Sequence, residues 1–169
     1  MKLIAAVDER WGLGYRGELL AHVRADLKNF AALTTGKTVI LGSKTLATFP
    51  GGRPLKNREN IVMSRRADYL VEGAVVVHSV EELLEVLKGR ENDNVFVIGG
   101  ESIYAQLLKY CNTAYITKFK KTFDADAYLE DLDASDEWEC ISVGESFFSN
   151  GETDTLDGME FCFCEYRRK

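Results

Sequence analysis

The chain is short of proline: Pro50 and Pro54 are the only two, against fourteen glycines in 169 residues. Corners must be turned mostly by glycine and polar residues, and Pro50-Gly-Gly-Arg-Pro54 stands out as a rigid feature. Histidine is as scarce, with only His22 and His78, far apart. Four cysteines (Cys111, Cys140, Cys162, Cys164) do not make a disulfide framework in a chain this size. Cys162-x-Cys164 lies in an alternating segment that points both thiols to one face of a strand. With no partners at zinc spacing, they read as structural thiols, and no metal site is expected. No apolar run approaches the roughly 20 residues of a membrane span, and Leu3–Val7 is too short for a signal segment. A cytoplasmic protein without a membrane partner is expected. Positive charge is also lacking: the net charge of −6 argues against a nucleic acid held through its phosphates. Eight carboxylates and no Lys or Arg fall between Asp124 and Glu139, which reads as a solvated face.

What is present is an ordinary globular balance, 46% hydrophobic and 28% charged, in a length suited to one domain over residues 1–169. Lys2–Val7, Lys37–Leu41, Arg58–Ser64, Gly73–Val77, Asn94–Ile98 and Thr113–Phe119 read as strands. Between them, Ala25–Leu33, Ser43–Phe49, a segment opened by the capping box Ser79-x-x-Glu82, and Glu101–Tyr110 read as helices. Glu139–Val143 and Met159–Tyr166 alternate as a closing antiparallel pair. The predicted class is α/β: a mostly parallel central sheet, helices on both faces, and an antiparallel C-terminal strand pair.

Gly12-Leu-Gly-Tyr-Arg-Gly17 matches a dinucleotide fingerprint in letters only. Asp8–Trp11 separates it from the first strand and Glu18–Val23 from any helix, so no glycine can bring phosphate to a helix N-terminus. A loop over an active site explains the glycines better. Ile98-Gly99-Gly100-Glu101-Ser102-Ile103-Tyr104 is the stronger signal, because a strand ends in two glycines where a helix begins. Gly42-Ser43-Lys44-Thr45 repeats the arrangement, and Ser64-Arg65-Arg66 ends a third strand. Together they suggest a nucleotide with an extra phosphate; each glycine turn alone would read as a tight turn. Asp26, in a first helical turn beside Ala25, Leu27 and Phe30, is an acid facing an apolar wall, with a raised pKa expected. From spacing alone the reading as a solvated helix acid prevails.

These pieces, in this order along nearly the whole chain, resemble the dihydrofolate reductase family. The resemblance rests on Leu13-Gly14, Ala25-Asp26-Leu27 with Phe30, Thr38–Gly42 with Lys44-Thr45, Arg53-Pro54-Leu55 with Arg58 and Asn60, Ile98-Gly99-Gly100 with Tyr104, and Tyr115-x-Thr117. It implies NADPH-dependent reduction of dihydrofolate to tetrahydrofolate by a monomer. Asp26 matches the acid that grips the pterin and promotes protonation at N5, braced by Thr117, with Tyr104 the aromatic beside the nicotinamide. Ile4, Ala5, Leu27, Phe30, Phe49 and Ile98 match the apolar walls of the substrate site, and Arg58 the partner of the glutamate tail's α-carboxylate. The cofactor-binding matches are Ala6, Leu13, Gly14, Gly42, Ser43, Lys44, Thr45, Ser64, Arg65, Arg66, the cis pair Gly99-Gly100, Glu101, Ser102, Ile103 and Tyr104.

Several positions depart from the family pattern. Leu19-Leu20-Ala21 stands where relatives write Leu-Pro-Trp, and Arg24 where they write proline. Asp126-Ala-Tyr-Leu129 replaces Asp-Thr-x-Phe-Pro, and Ser43 replaces an arginine that grips the cofactor's 2′-phosphate, so NADH use is open. The missing prolines predict a looser segment around Asp26, and His78 reads as an exposed strand-end residue near the adenine position. Two other readings stay in view: a riboflavin-pathway pyrimidine reductase, which lacks the pair Asp26 and Arg58, and a non-catalytic nucleotide- or folate-binding regulator.

Overall fold

The computed structural model describes residues 1–169. In chain order the elements are β1 (Lys2–Val7), β2 (Gly12–Tyr15), β3 (Glu18–Leu19), α1 (Arg24–Thr34), β4 (Thr38–Gly42), α2 (Ser43–Ala47), β5 (Glu59–Met63), β6 (Val75–Val77) and α3 (Val80–Val86). There follow β7 (Val95–Gly99), α4 (Glu101–Leu107), β8 (Thr113–Phe119), β9 (Ala127–Tyr128), β10 (Trp138–Val143), β11 (Phe147–Phe148) and β12 (Glu160–Arg168). The contacts divide into two compact units, Met1–Leu3 with Thr34–Cys111, and Ile4–Leu33 with Asn112–Lys169.

In the first unit β4 pairs in parallel with β5 and β7, β5 with β6, and the start of β1 with β7 through Lys2↔Phe96 and Leu3↔Val97. Val39, Ile40, Leu41, Ile61, Val62 and Val97 are all fully buried. Continuous apolar runs rather than alternation are what parallel strands covered on both faces require. α3 begins as its capping box predicts, with the Glu82 amide donating to Ser79 Oγ at 3.1 Å. The return arm differs: Glu82 Oε2 accepts from the His78 amide rather than from Ser79. Of the apolar side chains of α3 only Leu83 is fully buried, while Leu84 is exposed.

In the second unit β12 pairs antiparallel with β8, β10 and β11, so the predicted closing pair extends a wider antiparallel layer. The glycine segment after β1, expected as a loop, forms a small sheet in the order β3-β2-β9. Four strands (β2, β3, β9 and β11) have no periodic signature because they are two to four residues long. The acidic stretch is also more than a solvated face. Leu129, Leu132 and Trp138 within it are buried, and Asp133 accepts from the Tyr166 hydroxyl at 2.7 Å and pairs with Lys118.

Candidate active site

Helix α1 carries the acid. Its first helical hydrogen bond runs from the Leu27 amide to the Val23 carbonyl at 3.1 Å, so Val23 is the N-cap and Asp26 is the third helical residue. A carboxylate there commonly reaches back to its own helix start. Asp26 turns instead to β8, where the buried Thr117 hydroxyl donates to its Oδ1 at 2.6 Å. Burial disfavours the charged form and raises the Asp26 pKa, and the Thr117 bond opposes that rise in part. The expected upward shift is therefore present, and its cause is desolvation. The acid keeps an apolar setting: Ile4 and Ala5 of β1 are buried, Phe30 is half-buried and Leu27 stays 48% exposed. Most of the apolar side of α1 is thus not consumed by core packing, since Thr34 is its one fully buried residue.

The predicted looseness ahead of Asp26 is not what the structure has. The His22 amide donates to Thr155 Oγ1 at 2.9 Å, and the Thr155 amide returns a bond to the His22 carbonyl at 3.0 Å. The Arg24 amide donates to Asp154 Oδ1 at 2.8 Å. Hydrogen bonds from the far side of the unit hold the segment that the missing prolines leave flexible. The glycine segment is held likewise. Buried Asp8 accepts from the Gly12, Arg10 and Phe123 amides, and Asp126 accepts from the Arg16 amide at 3.0 Å. Leu129 is buried and its amide donates to the Trp11 carbonyl, so Leu13 and Gly14 sit in an ordered strand. Asp8, Asp154 and Thr155 were not singled out from the sequence. Asp8 left a local signal, an Asx residue four before a glycine; the other two left none.

In the first unit, two glycine-led turns meet. Gly42 precedes α2 and Gly100 precedes α4, both in extended conformation. A Cβ on Gly100 would come within 3.0 Å of Thr45 Oγ1, and one on Gly42 within 3.0 Å of Ile103 Cγ1. Each turn therefore packs against the first turn of the other helix, where a Cβ would crowd its neighbour. First-turn amides of a helix have no partner within it, so two adjacent starts present donors suited to an anion. The Gly99–Gly100 peptide is cis, and Gly99 adopts φ +128°, a conformation open only to glycine. Buried Tyr104 lies against that glycine, with Ile98 half-buried just before it.

Ser64 is buried at the end of β5, and its carbonyl lies 2.8 Å from His78 Nδ1, so His78 is tethered and half-buried rather than exposed. Arg65 and Arg66 follow on the surface. Arg66 is engaged with Asp68 and the Tyr69 ring, whereas Arg65 makes no ion pair. Ser43, Lys44, Glu101 and Ser102 fall on the first turns of α2 and α4. Arg58 stands just before β5, donating to Thr35 Oγ1 at 3.4 Å, with its pKa lowered by burial. The corner leading to it is set by Asn60, whose amide side chain bonds both the amide and the carbonyl of Leu55 and the Arg58 carbonyl. Phe49 is half-buried where that corner begins.

The first unit, with its parallel sheet and paired glycine-led helix starts, and the second, with a carboxyl held in an apolar setting, are those of an α/β protein. The family model described as dihydrofolate reductase matches residues 1–168. Dihydrofolate reductase of Bacillus subtilis is 32% identical over 169 residues, covering all of this chain and 95% of the relative. That of Staphylococcus aureus is 30% identical over the whole chain and 98% of the relative. Among solved structures, dihydrofolate reductase from Enterococcus faecalis complexed with NADP(H) and RAB-propyl superposes with a TM-score of 0.85. It is 33% identical, over 99% of this chain and 95% of that one. The chain belongs to the dihydrofolate reductase family.

Proposed function

We infer that this chain reduces 7,8-dihydrofolate to 5,6,7,8-tetrahydrofolate with NADPH. The observation that carries this is the Asp26–Thr117 pair: an acid whose pKa is raised by burial, oriented by a hydroxyl, at the open apolar side of α1. Such a carboxyl can bind the pyrimidine edge of a pterin and promote proton delivery to N5. Ile4, Ala5, Leu27, Phe30, Phe49 and Ile98 are the proposed apolar contacts of the substrate, and Arg58 the partner of its tail carboxylate, where a planar fork suits a carboxylate.

The paired glycine starts fit a nicotinamide dinucleotide, because the close packing at Gly42 and Gly100 brings two helix N-termini, with their first-turn amide donors, side by side for its pyrophosphate. When bound, the reduced nicotinamide supplies the hydride that goes to C6 of the pterin. The first turns of α2 and α4 would hold the pyrophosphate, through Ser43, Lys44, Thr45, Glu101, Ser102 and Ile103. Ala6, Leu13, Gly14, Gly99, Gly100 and Tyr104 would position the nicotinamide half, and Ser64, Arg65 and Arg66 the adenine ribose with its phosphate. The residues of β2 and β9 would exclude water from the reacting atoms. Asp26 and Arg58, both present, speak against the riboflavin-pathway reductase and against a non-catalytic regulator.

No helix is long and apolar enough to cross a membrane, and we place the protein in the cytoplasm as a single-domain monomer. The deciding experiment follows NADPH oxidation at 340 nm with and without dihydrofolate, repeated with NADH. Dihydrofolate-dependent oxidation is the expected result, and oxidation indifferent to dihydrofolate would remove this reading.

A further inference from the structure

Helix α1 has an unusual start. Its N-cap, Val23, is buried and has no side-chain oxygen, so it cannot accept any of the first-turn amides. Asp26, the one carboxylate in the first turn, is committed to Thr117. The cap arrives from 130 residues away: Asp154 Oδ1 accepts the Arg24 amide at 2.8 Å. Asp154 is itself held in place, its Oδ2 accepting the Asn150 amide at 2.8 Å and its own amide donating to the Asn150 carbonyl at 2.8 Å. These bonds to the charged form lower the Asp154 pKa, the Arg24 amide foremost, so the cap is an anion at neutral pH. One residue on, Thr155 closes the two-bond clasp on His22.

Arg24 has an amide hydrogen where relatives carry a proline, which has none. The donor at the helix's first position meets its acceptor in Asp154. Two residues later comes Asp26, so the cap fixes the turn from which the carboxyl is presented.

We propose that Asp154 is a positioning residue for the reaction, holding the first turn of α1 through the Arg24 amide so that Asp26 stays in register with Thr117. The inference rests on the proposed reductase activity. A misplacement of the order of 1 Å in a reacting group can cost up to about 100-fold in rate. D154A leaves the helix start uncapped and releases the turn.

The test combines D154A, R24P and the double variant. Proline is well tolerated at the first helical position and removes the donor that Asp154 serves. In the Arg24 background, D154A is expected to slow hydride transfer about 10-fold and to move the midpoint of its pH profile, because Asp26 loses its register with Thr117. In the R24P background the same substitution should change neither rate nor midpoint by more than about twofold, although it still lowers Tm by loosening residues 150–157. Rate losses that simply multiply, or a fall in Tm with an unmoved pH profile, would overturn the proposal. Hydrogen exchange of the Arg24 amide, measured without any substrate, separates the two readings. Faster exchange in D154A upholds the cap even if the wild-type chain does not oxidise NADPH with dihydrofolate, and unchanged exchange rejects it whatever the activity.

Discussion

Thr117 Oγ1 donates to Asp26 Oδ1 at 2.6 Å, joining β8 to the first turn of α1 across 91 residues of sequence. The hydroxyl stabilises the charged carboxylate while burial destabilises it, and burial wins, so the Asp26 pKa is raised. Removing the hydroxyl leaves burial unopposed. T117V is therefore expected to move the Asp26 pKa further up, shifting the falling limb of the hydride-transfer pH profile to higher pH. Stopped-flow measurements across the profile check this, and an unmoved limb would show that Thr117 does not feel the charge.

Asp26→Asn should lower hydride transfer to dihydrofolate at least about 100-fold near neutral pH, the loss usual for a positioned proton donor. The same variant should be the more stable protein at neutral pH. A carboxyl whose folded pKa is raised binds more protons folded than unfolded. Its contribution is present below the unfolded value of 3.8 and is lost as pH rises through the folded value. The wild type therefore loses stability across that window while D26N does not. Urea titrations below and above the window test the sign: the two proteins should diverge as pH rises.

The strands of the first unit could be read in advance because both faces are buried, and continuous runs such as Thr38–Leu41 and Val95–Ile98 leave little choice of state. The glycine-led starts at Gly42 and Gly100 could also be read, since each follows a strand and opens a helix. Their mutual packing through Thr45 and Ile103 could not, because it depends on strand order. Asp26 and Thr117 emerge from the family pattern; spacing alone favours a solvated helix acid at Asp26. Leu20 and Arg24 misled in the opposite direction. Lost prolines predict freedom, but Asp154 and Thr155 supply the restraint from a loop with no local signature. Such non-local hydrogen bonds are invisible to periodicity.

Asp133 accepts from Tyr166, and both sit in what charge alone marks as a solvated stretch and its strand neighbour. Tyr166 is fully buried, with its pKa raised by burial and by Asp133, so its hydroxyl is a neutral donor. D133A leaves that donor unsatisfied, at a cost of about 1–3 kcal/mol. Y166F removes donor and need together, so it should cost less. Chemical denaturation of both variants tests the order, and a costlier Y166F would refute it.

Arg58 is proposed to meet the substrate's tail carboxylate. R58A should then raise KM for dihydrofolate roughly 10- to 100-fold while kcat stays within about twofold, since charged hydrogen bonds of this kind contribute about 1.5–3 kcal/mol. R58K should recover little, because an ammonium cannot make the bidentate pair. A substrate analogue lacking the glutamate tail provides the control: its KM should be equal in wild type and R58A.

The cofactor's 2′-phosphate presents the sharpest departure from relatives, because Ser43 begins α2 where an arginine is usual. Arg66 is turned to Asp68 and Tyr69, which leaves Arg65, exposed and without an ion pair, as the cation with least to lose by binding a phosphate. R65A should therefore weaken NADPH roughly 10-fold or more and leave NADH nearly unchanged. S43R should act in the opposite sense, tightening NADPH without effect on NADH. Both are read from steady-state KM values for the two cofactors, at low and at high salt. Screening should narrow the preference in the wild type, and narrow it less in R65A, where the charge that salt acts on is gone. Equal losses for NADPH and NADH in R65A would mean that another group reads the phosphate.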